Sequence, residues 1–287
     1  MKLPPPEYQR KIANAFNRVA TDYETHAQLQ QEIGEVLLER LQWLKLQPTQ
    51  ILDVGTGTGR LARALTVRYP TAHIYAIDIA LQMVKQAQKE LQIQQYVICG
   101  DATQLPIVDH SIDLIVSNLM LQWCPHPQVV FAEFARVLKP QGALFFSTFG
   151  PDTLKELRQS WAQVDDKNHV NDFMEMHDLG DALLQVGLSD PVVDVERFEN
   201  FYQTVQSLMR YLKNLGAHSV IAGSPTGLMG KNKFKALLSA YETYRIPDQG
   251  LPVTFEIIYG YALGSRNRSG RVGETPISLS QRDRRNS

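Results

Sequence analysis

The chain has 287 residues, enough for one large domain or two small ones with a substantial core. Hydrophobic residues make up 44% and charged residues 21%, the composition of an ordinary soluble globular protein, which excludes collagen-like and wholly disordered classes. With 29 basic and 30 acidic residues the formal charge is −1, so the whole chain offers no electrostatic footprint for nucleic acid or an anionic membrane. Pro4 to Pro6 precede a polar segment that lacks the apolar run of a signal peptide. No apolar stretch approaches the ~20 residues of a bilayer span, so a cytoplasmic location is expected.

Ile12, Phe16 and Val19 recur at helical spacing, as do Leu29, Ile33, Val36, Leu37, Leu41 and Leu44 before Pro48. Two helices therefore precede any strand. The apolar run 51–54 breaks into Gly55, Gly57 and Gly59, and Leu61, Ala64, Leu65 and Val67 then mark a helical face, giving strand, tight turn and helix. The unit repeats as a strand over 74–77 ending in Asp78, a helix carrying Met83, Val84, Ala87 and Leu91, and a strand at Val97 and Ile98 before Gly100 and Asp101. A strand over 112–116, a helix over 127–138 and a strand over 143–148 follow. Apolar strands alternating with helices predict a parallel sheet covered on both faces.

After Pro151 three or four helical stretches surround strand candidates at 192–198 and 253–263, read as the sheet's last two strands with helices folding over its upper edge. The segment 265–287 is rich in Arg, Ser and Gly and has too little apolar surface to order itself. Cys99 and Cys124, the only cysteines, have no Cys-x-x-Cys or His spacing, so they are read as idle thiols with no metal site. His26, His126, His169 and His177 likewise lack ligand spacing and are given structural or surface roles, with His177 and Asp178 opening a helix.

Asp53-Val54-Gly55-Thr56-Gly57-Thr58-Gly59 is the strongest motif, because its glycines allow a sharp turn and a close approach of ligand to backbone. Arg60 occupies the third glycine of the dinucleotide fingerprint, and there is no Gly-Lys-Ser/Thr phosphate loop. The pattern resembles motif I of class I S-adenosylmethionine-dependent methyltransferases. That resemblance implies a Rossmann-like α/β fold with a mostly parallel seven-stranded sheet, helices on both faces and a helical lid. It also implies that Gly55, Gly57 and Gly59 admit the amino-acid part of the cofactor, while Asp53 receives its ammonium.

Asp78, at a strand end, can accept both ribose hydroxyls, or else cap the next helix. In Gly100-Asp101-Ala102, Asp101 can accept an adenine amino group or serve only the turn. Met83 can lie on the adenine face or fill the core. Three acids at three successive strand ends point to one crevice, where open α/β sheets bind ligands. Ser117-Asn118-Leu119 and Gln122-Trp123 border that crevice on the methyl side and resemble motif IV. They lack the Asn/Asp-Pro-Pro-Tyr form of amino-methylating nucleic-acid enzymes.

The flanks are more specific. Phe16-Asn17-Arg18-Val19-Ala20, Tyr23-Glu24-x-His26-Ala27, Leu121-Gln122-Trp123-Cys124, Phe149-Gly150-Pro151-Asp152-Thr153-Leu154, 177–183, Arg210-x-Leu212-Lys213 with 215–217, and 227–230 resemble the malonyl-acyl-carrier-protein O-methyltransferase family of biotin synthesis. The likeness runs from about Lys11 to Gly264. It implies methyl transfer to the free carboxylate of a malonyl thioester on acyl carrier protein, without metal. A carboxylate with a pKa of about 4 is already ionised at neutral pH, so no general base is required.

The expected division is 1–46 as an N-terminal helical segment and lid, 47–264 as the methyltransferase domain with lid helices within about 151–245, and 265–287 as the tail. Tyr23 and Trp123 are candidates at the reacting centre, each alternatively a packing aromatic. Arg210 and Lys213, three apart on a helix, are candidates for the malonyl carboxylate or the phosphopantetheine phosphate, or else a solvated face. Six arginines against Glu274 and Asp283 give the tail a surplus of four positive charges and leave the body at −5. An acidic carrier would then need a local basic surface, sought at Lys231, Lys233 and Lys235 beside Arg210 and Lys213. The other readings left open are a methyltransferase for another small molecule, such as a quinone, and a non-catalytic S-adenosylmethionine-binding module.

Overall fold

The computed structural model describes residues 6–43, 45–90, 95–215 and 230–265. Helices α1 (Pro6–Val19), α2 (Tyr23–His26) and α3 (Gln28–Arg40) come first. Then β1 (Gln50–Val54), α4 (Arg60–Arg68), β2 (His73–Asp78), α5 (Leu81–Glu90), β3 (Gln95–Cys99), β4 (Ile112–Asn118), α6 (Pro127–Val137) and β5 (Leu138–Phe149) alternate as the periodicity predicts. The chain continues through α7 (Lys155–Ala162), α8 (Met176–Gln185), β6 (Ser189–Tyr202), α9 (Val205–Asn214), α10 (Lys231–Glu242) and β7 (Leu251–Leu263).

The seven strands lie in the order β3-β2-β1-β4-β5-β7-β6. β1 pairs in parallel with β2 on one side and β4 on the other, so the winding direction reverses between β1 and β4. Diverging loops at such a reversal leave a crevice at the carboxyl ends of the strands. Register brings Val54 beside Ile77 and Asp78 beside Cys99, which aligns the three acid-bearing strand ends. β7 runs antiparallel between β5 and β6, so the sheet is mixed at one edge. β6 alternates half-buried and exposed positions because it is that edge, whereas four of the five β1 residues are buried from both faces.

One face of the sheet is covered by α3, α4, α7, α9 and α10 through Leu29 and Leu37, together with Leu65, Trp161, Leu212 and Tyr241. α6 and α8 cover the other through Phe131, Phe134, Leu179 and Leu183, with Phe131 5.4 Å from the Phe146 ring. α3 belongs to the main core: Leu29, Ile33 and Leu37 are at most 2% exposed. α1 instead makes a small cluster, Ile12 and Ala15 against Ile79 and Trp123, above the strand ends. Leu44, Leu91, 216–229 and the tail 266–287 lie outside the described residues.

Candidate active site

The glycine turn is held by its own backbone. The amides of Gly55 and Thr56 both donate to the Ile77 carbonyl, at 2.8 and 3.0 Å. Gly55, Gly57 and Gly59 have φ of +77°, +56° and +84°, the left-handed region where a side chain is strained. A Cβ on Gly55 would also sit 2.5 Å from the Met120 side chain. Gly59 lines no part of the adjoining cavities and leads into α4, its carbonyl accepting from the Arg63 amide. Gly59 shapes the exit of the turn.

Asp78 does two jobs at once. Its Oδ2 accepts from the Gly57 amide at 2.9 Å, and its Oδ1 accepts from the Ala80 amide at 2.8 Å. Asp78 is not the cap of α5, which begins at Leu81; its carboxylate fastens the glycine turn and borders the crevice. Asp101 also serves its turn, Oδ1 accepting from the Thr103 amide at 2.8 Å, while Oδ2 accepts from the Gln9 side chain of α1. Met83 is buried against Ala20 and Ala80 and still lines the crevice.

That crevice, of ≈110 Å³, is lined by Gly55, Gly57, Asp78, Met83, Asp101, Ala102 and Asn118, and α1 walls it with Tyr8, Gln9, Ile12 and Phe16. Asp53 opens into a neighbouring space of ≈340 Å³ bordered by Gly55, Gly57, Tyr23, Gln30 and Asn118. Asp53 is 1% exposed. Its Oδ2 accepts from the Thr56 hydroxyl at 2.6 Å, but its Oδ1 has no hydrogen-bond partner among the described residues. Burial, reinforced by the charge of Asp78 and opposed by Thr56, pushes the carboxyl up to about 7.

A third cavity, of ≈670 Å³, lies beside these. Its walls are largely apolar, with Leu29, Phe149, Leu157, Trp161, Leu212 and Phe255 among them. Its size is that of a ligand site, about 300–1,000 Å³. Tyr23 borders all three spaces, and Phe16, Leu119 and Trp123 border both the crevice and the large cavity. Trp123 packs edge-on against Phe16, with ring centroids 5.2 Å apart. Burial, with Asp78 nearby, pushes the Tyr23 phenol upward, so it is a neutral donor at physiological pH.

Arg210 and Lys213 are exposed and line none of these cavities; Met209 and Leu212 of the same helix face the large one. α9 turns its apolar stripe toward that cavity and its cations to solvent, the solvated-face alternative for Arg210 and Lys213. The cations that border the cavity are Lys167, Lys231 and Lys233, all solvent-exposed. Lys233 pairs with Asp165 at 2.6 Å, and Asp165 also meets His169, which stacks 3.7 Å from Trp161. Asn118 spends its amide on bracing, donating to the Gln30 carbonyl at 2.9 Å and accepting from Ser147 at 2.7 Å.

Three residues escaped the sequence reading. Gln9 reaches Asp101 from a distant helix, and no local spacing signals it. Glu24 accepts from the Thr58 hydroxyl at 2.8 Å and from Arg63 at 2.9 Å, tying the Tyr23 segment to the glycine turn. Gln30 stands seven positions after Tyr23, a helical spacing that was available but carries no chemistry by itself. Cys124 is half-buried, its thiol pushed up to about 12 by desolvation and Asp101. Among the described residues no His, Cys, Asp and Glu group is arranged to hold a metal ion.

The family of methyltransferase domains matches residues 52–146, the span from β1 into β5. A protein of Gallionella capsiferriformans named malonyl-[acyl-carrier protein] O-methyltransferase is 41% identical over 280 residues, covering 95% of this chain and 96% of its own. The chain belongs to the malonyl-[acyl-carrier protein] O-methyltransferase family. In this family member the domain match ends before the large cavity's later walls, whereas the whole-length relative spans them. Among solved structures, the YcgJ protein of Bacillus subtilis has a TM-score of 0.59 at 16% identity, over 81% of this chain and 99% of that one. Phosphoethanolamine N-methyltransferase 2 of Haemonchus contortus, solved with S-adenosyl-L-methionine, has a TM-score of 0.53 at 16% identity, over 87% and 57%. Both likenesses place this malonyl-[acyl-carrier protein] O-methyltransferase family member in the class I methyltransferase fold, as its motif I predicts.

Proposed function

We propose that the protein transfers a methyl group from S-adenosylmethionine to the free carboxylate of a malonyl thioester on acyl carrier protein, giving the methyl ester that primes pimeloyl synthesis for biotin. The observation that carries this reading is the meeting of an acid-lined crevice and a large apolar cavity at Tyr23. The residues present fit the cofactor. The unpartnered Asp53 Oδ1 suits an ammonium, Asp78 a ribose, and Asp101 with Met83 and Ala102 an adenine. Gly55 and Gly57 leave the turn bare of side chains, and Asn118 braces its far side.

When bound, S-adenosylmethionine supplies an electrophilic methyl on its sulfonium. The chain's own work is to orient the acceptor and exclude water. α1 closes over the crevice, and Glu24 holds Tyr23 and its segment on the glycine turn. The apolar walls strip water from the acceptor, which is already ionised and gives up no proton. Within 1–46, α1 and α2 serve as the lid over the crevice, and within 151–245, α7, α9 and α10 close over the large cavity, while α3 and α8 pack into the core.

The protein partner is acyl carrier protein, met at the exposed cations Lys231 and Lys233 at the rim and Lys235 beyond it on α10, with Arg210 and Lys213 on the solvent face of α9. The site of action is the cytoplasm, and neither nucleic acid nor membrane is a partner. Among the described residues no helix is long and apolar enough to cross a membrane. Purified protein should transfer labelled methyl to malonyl-acyl-carrier protein. Bound cofactor without transfer to this thioester would overturn the reading, in favour of another small acceptor such as a quinone if that is methylated, or of a binding module if nothing is. Parallel assays on malonyl-coenzyme A measure how far the carrier itself is required.

A further inference from the structure

The exposed cations at the rim leave unexplained what holds the acceptor carboxylate where the reaction occurs, at the junction of the compartments. Among the described residues, the polar side chains bordering both the large cavity and one of the two cofactor spaces are Tyr23, Gln30 and Trp123. None carries a positive charge. Gln30 is distinctive among them because its amide offers both a donor and an acceptor.

Neither end of that amide has a hydrogen-bond partner among the described residues, and its Oε1 is fully enclosed. Gln122, the other glutamine on the cavity wall, is committed: it donates to the Leu119 carbonyl at 2.6 Å and accepts from Thr148 at 3.4 Å. Gln30 is also fixed in place. Its carbonyl accepts from Asn118, whose Oδ1 accepts from Ser147, so the backbone of α3 is anchored to the ends of β4 and β5. The Gln30 Oε1, a buried acceptor left unsatisfied on a fixed backbone, is costly unless a ligand completes it. The space it borders on the cofactor side also holds the unpartnered Asp53 Oδ1.

We infer that Gln30 bridges the two substrates, its Nε2 donating to the malonyl carboxylate beside the Tyr23 hydroxyl and its Oε1 accepting from the cofactor ammonium alongside Asp53. The inference rests on the transfer reaction proposed above. Neutral donors suit that reaction better than a guanidinium clamp. They orient one carboxylate oxygen and leave a lone pair on the other to form the O–CH₃ bond, while the S–CH₃ electron pair returns to sulfur and no proton moves. The product ester is uncharged, so its hydrogen bond to Gln30 is weaker than the carboxylate's, which favours release.

Gln30→Glu keeps the acceptor and removes the donor, whereas Gln30→Met removes both. Gln30→Glu should lower kcat/KM for malonyl-acyl-carrier protein by about 10- to 150-fold, the worth of a hydrogen bond to a charged group. Its affinity for S-adenosylhomocysteine, measured by calorimetry, should not fall. Its rate should recover as pH is lowered, because a protonated glutamic acid donates again. Gln30→Met should lose cofactor affinity as well, with thermal unfolding confirming that both variants are folded. Wild-type rates in Gln30→Glu, or a loss confined to cofactor affinity, would overturn the bridge while leaving the transfer reaction intact. Wild-type protein that binds cofactor but methylates no malonyl thioester would overturn both.

Discussion

The acid-lined crevice and the large apolar cavity share Tyr23 but are built differently. The crevice is assembled from three consecutive strand ends and closed by short polar contacts: Gly57 to Asp78, Ala80 to Asp78, and Thr103 to Asp101. The cavity takes walls from α3, α7, α9, α10 and β7, far apart in the chain, and is closed by side-chain packing. Under the proposed reaction, chemistry common to many acceptors falls on the part built from local backbone geometry, and acceptor choice on the part where apolar surfaces meet. A cofactor site of the first kind tolerates wide variation in the second, because the two share few contacts.

Substitutions on either side can break that separation. The largest effect is expected from Phe255→Ala on β7, which should cost about 3–5 kcal/mol of stability by opening a void, read by denaturant unfolding. The folded variant should bind S-adenosylhomocysteine within about twofold of wild type, since distant sites act independently. A parallel collapse of cofactor affinity would show that the compartments are one unit. Asp78→Ala should weaken cofactor binding by about 1.5–3 kcal/mol, with acceptor KM little changed. An unchanged affinity by calorimetry would remove Asp78 from the site.

A subtler test uses Asp53. Because burial pushes its carboxyl up to about 7, the folded protein keeps a proton that the unfolded chain has already lost. The stability contributed by this group is therefore full below about pH 4 and is lost as pH rises toward 7. A cation seated at Oδ1 reverses the shift, so cofactor binding should release a proton and tighten as pH rises toward 7. Calorimetry at about pH 6 in buffers of different ionisation enthalpy measures that proton, and Asp53→Asn should abolish it. The smallest effect is expected from the double variant Arg210→Ala with Lys213→Ala: at most about 1 kcal/mol in carrier recognition, fading as salt is added. A larger loss that ignored ionic strength would return those cations to the acceptor site.

The acids at the strand ends are legible because each lies within or just after a short apolar run, so strand, turn and carboxylate are read from one window. The winding rule brings Asp78 and Asp101 to one crevice and Asp53 to the adjoining space. Arg210 and Lys213 pose the opposite problem. Their spacing places them on one helical face, but which face α9 presents to the cavity depends on Leu208 and Leu212, buried against distant strands. Gln30 and Gln9 carried no signal, because a glutamine in an amphipathic helix is ordinary until a strand end arrives beside it.

Local pattern by itself determined the alternating strands and helices, the glycine turn with its left-handed backbone, and the identity of the three strand-end acids, since all depend on the steric and hydrogen-bonding preferences of neighbouring residues. Only the tertiary structure decided that β7 inserts between β5 and β6, that α1 walls the crevice, and that Tyr23, Gln30 and Trp123 meet where the compartments join. Those outcomes follow from burying apolar faces contributed by segments distant in the chain, and no window of sequence contains both partners of such a contact.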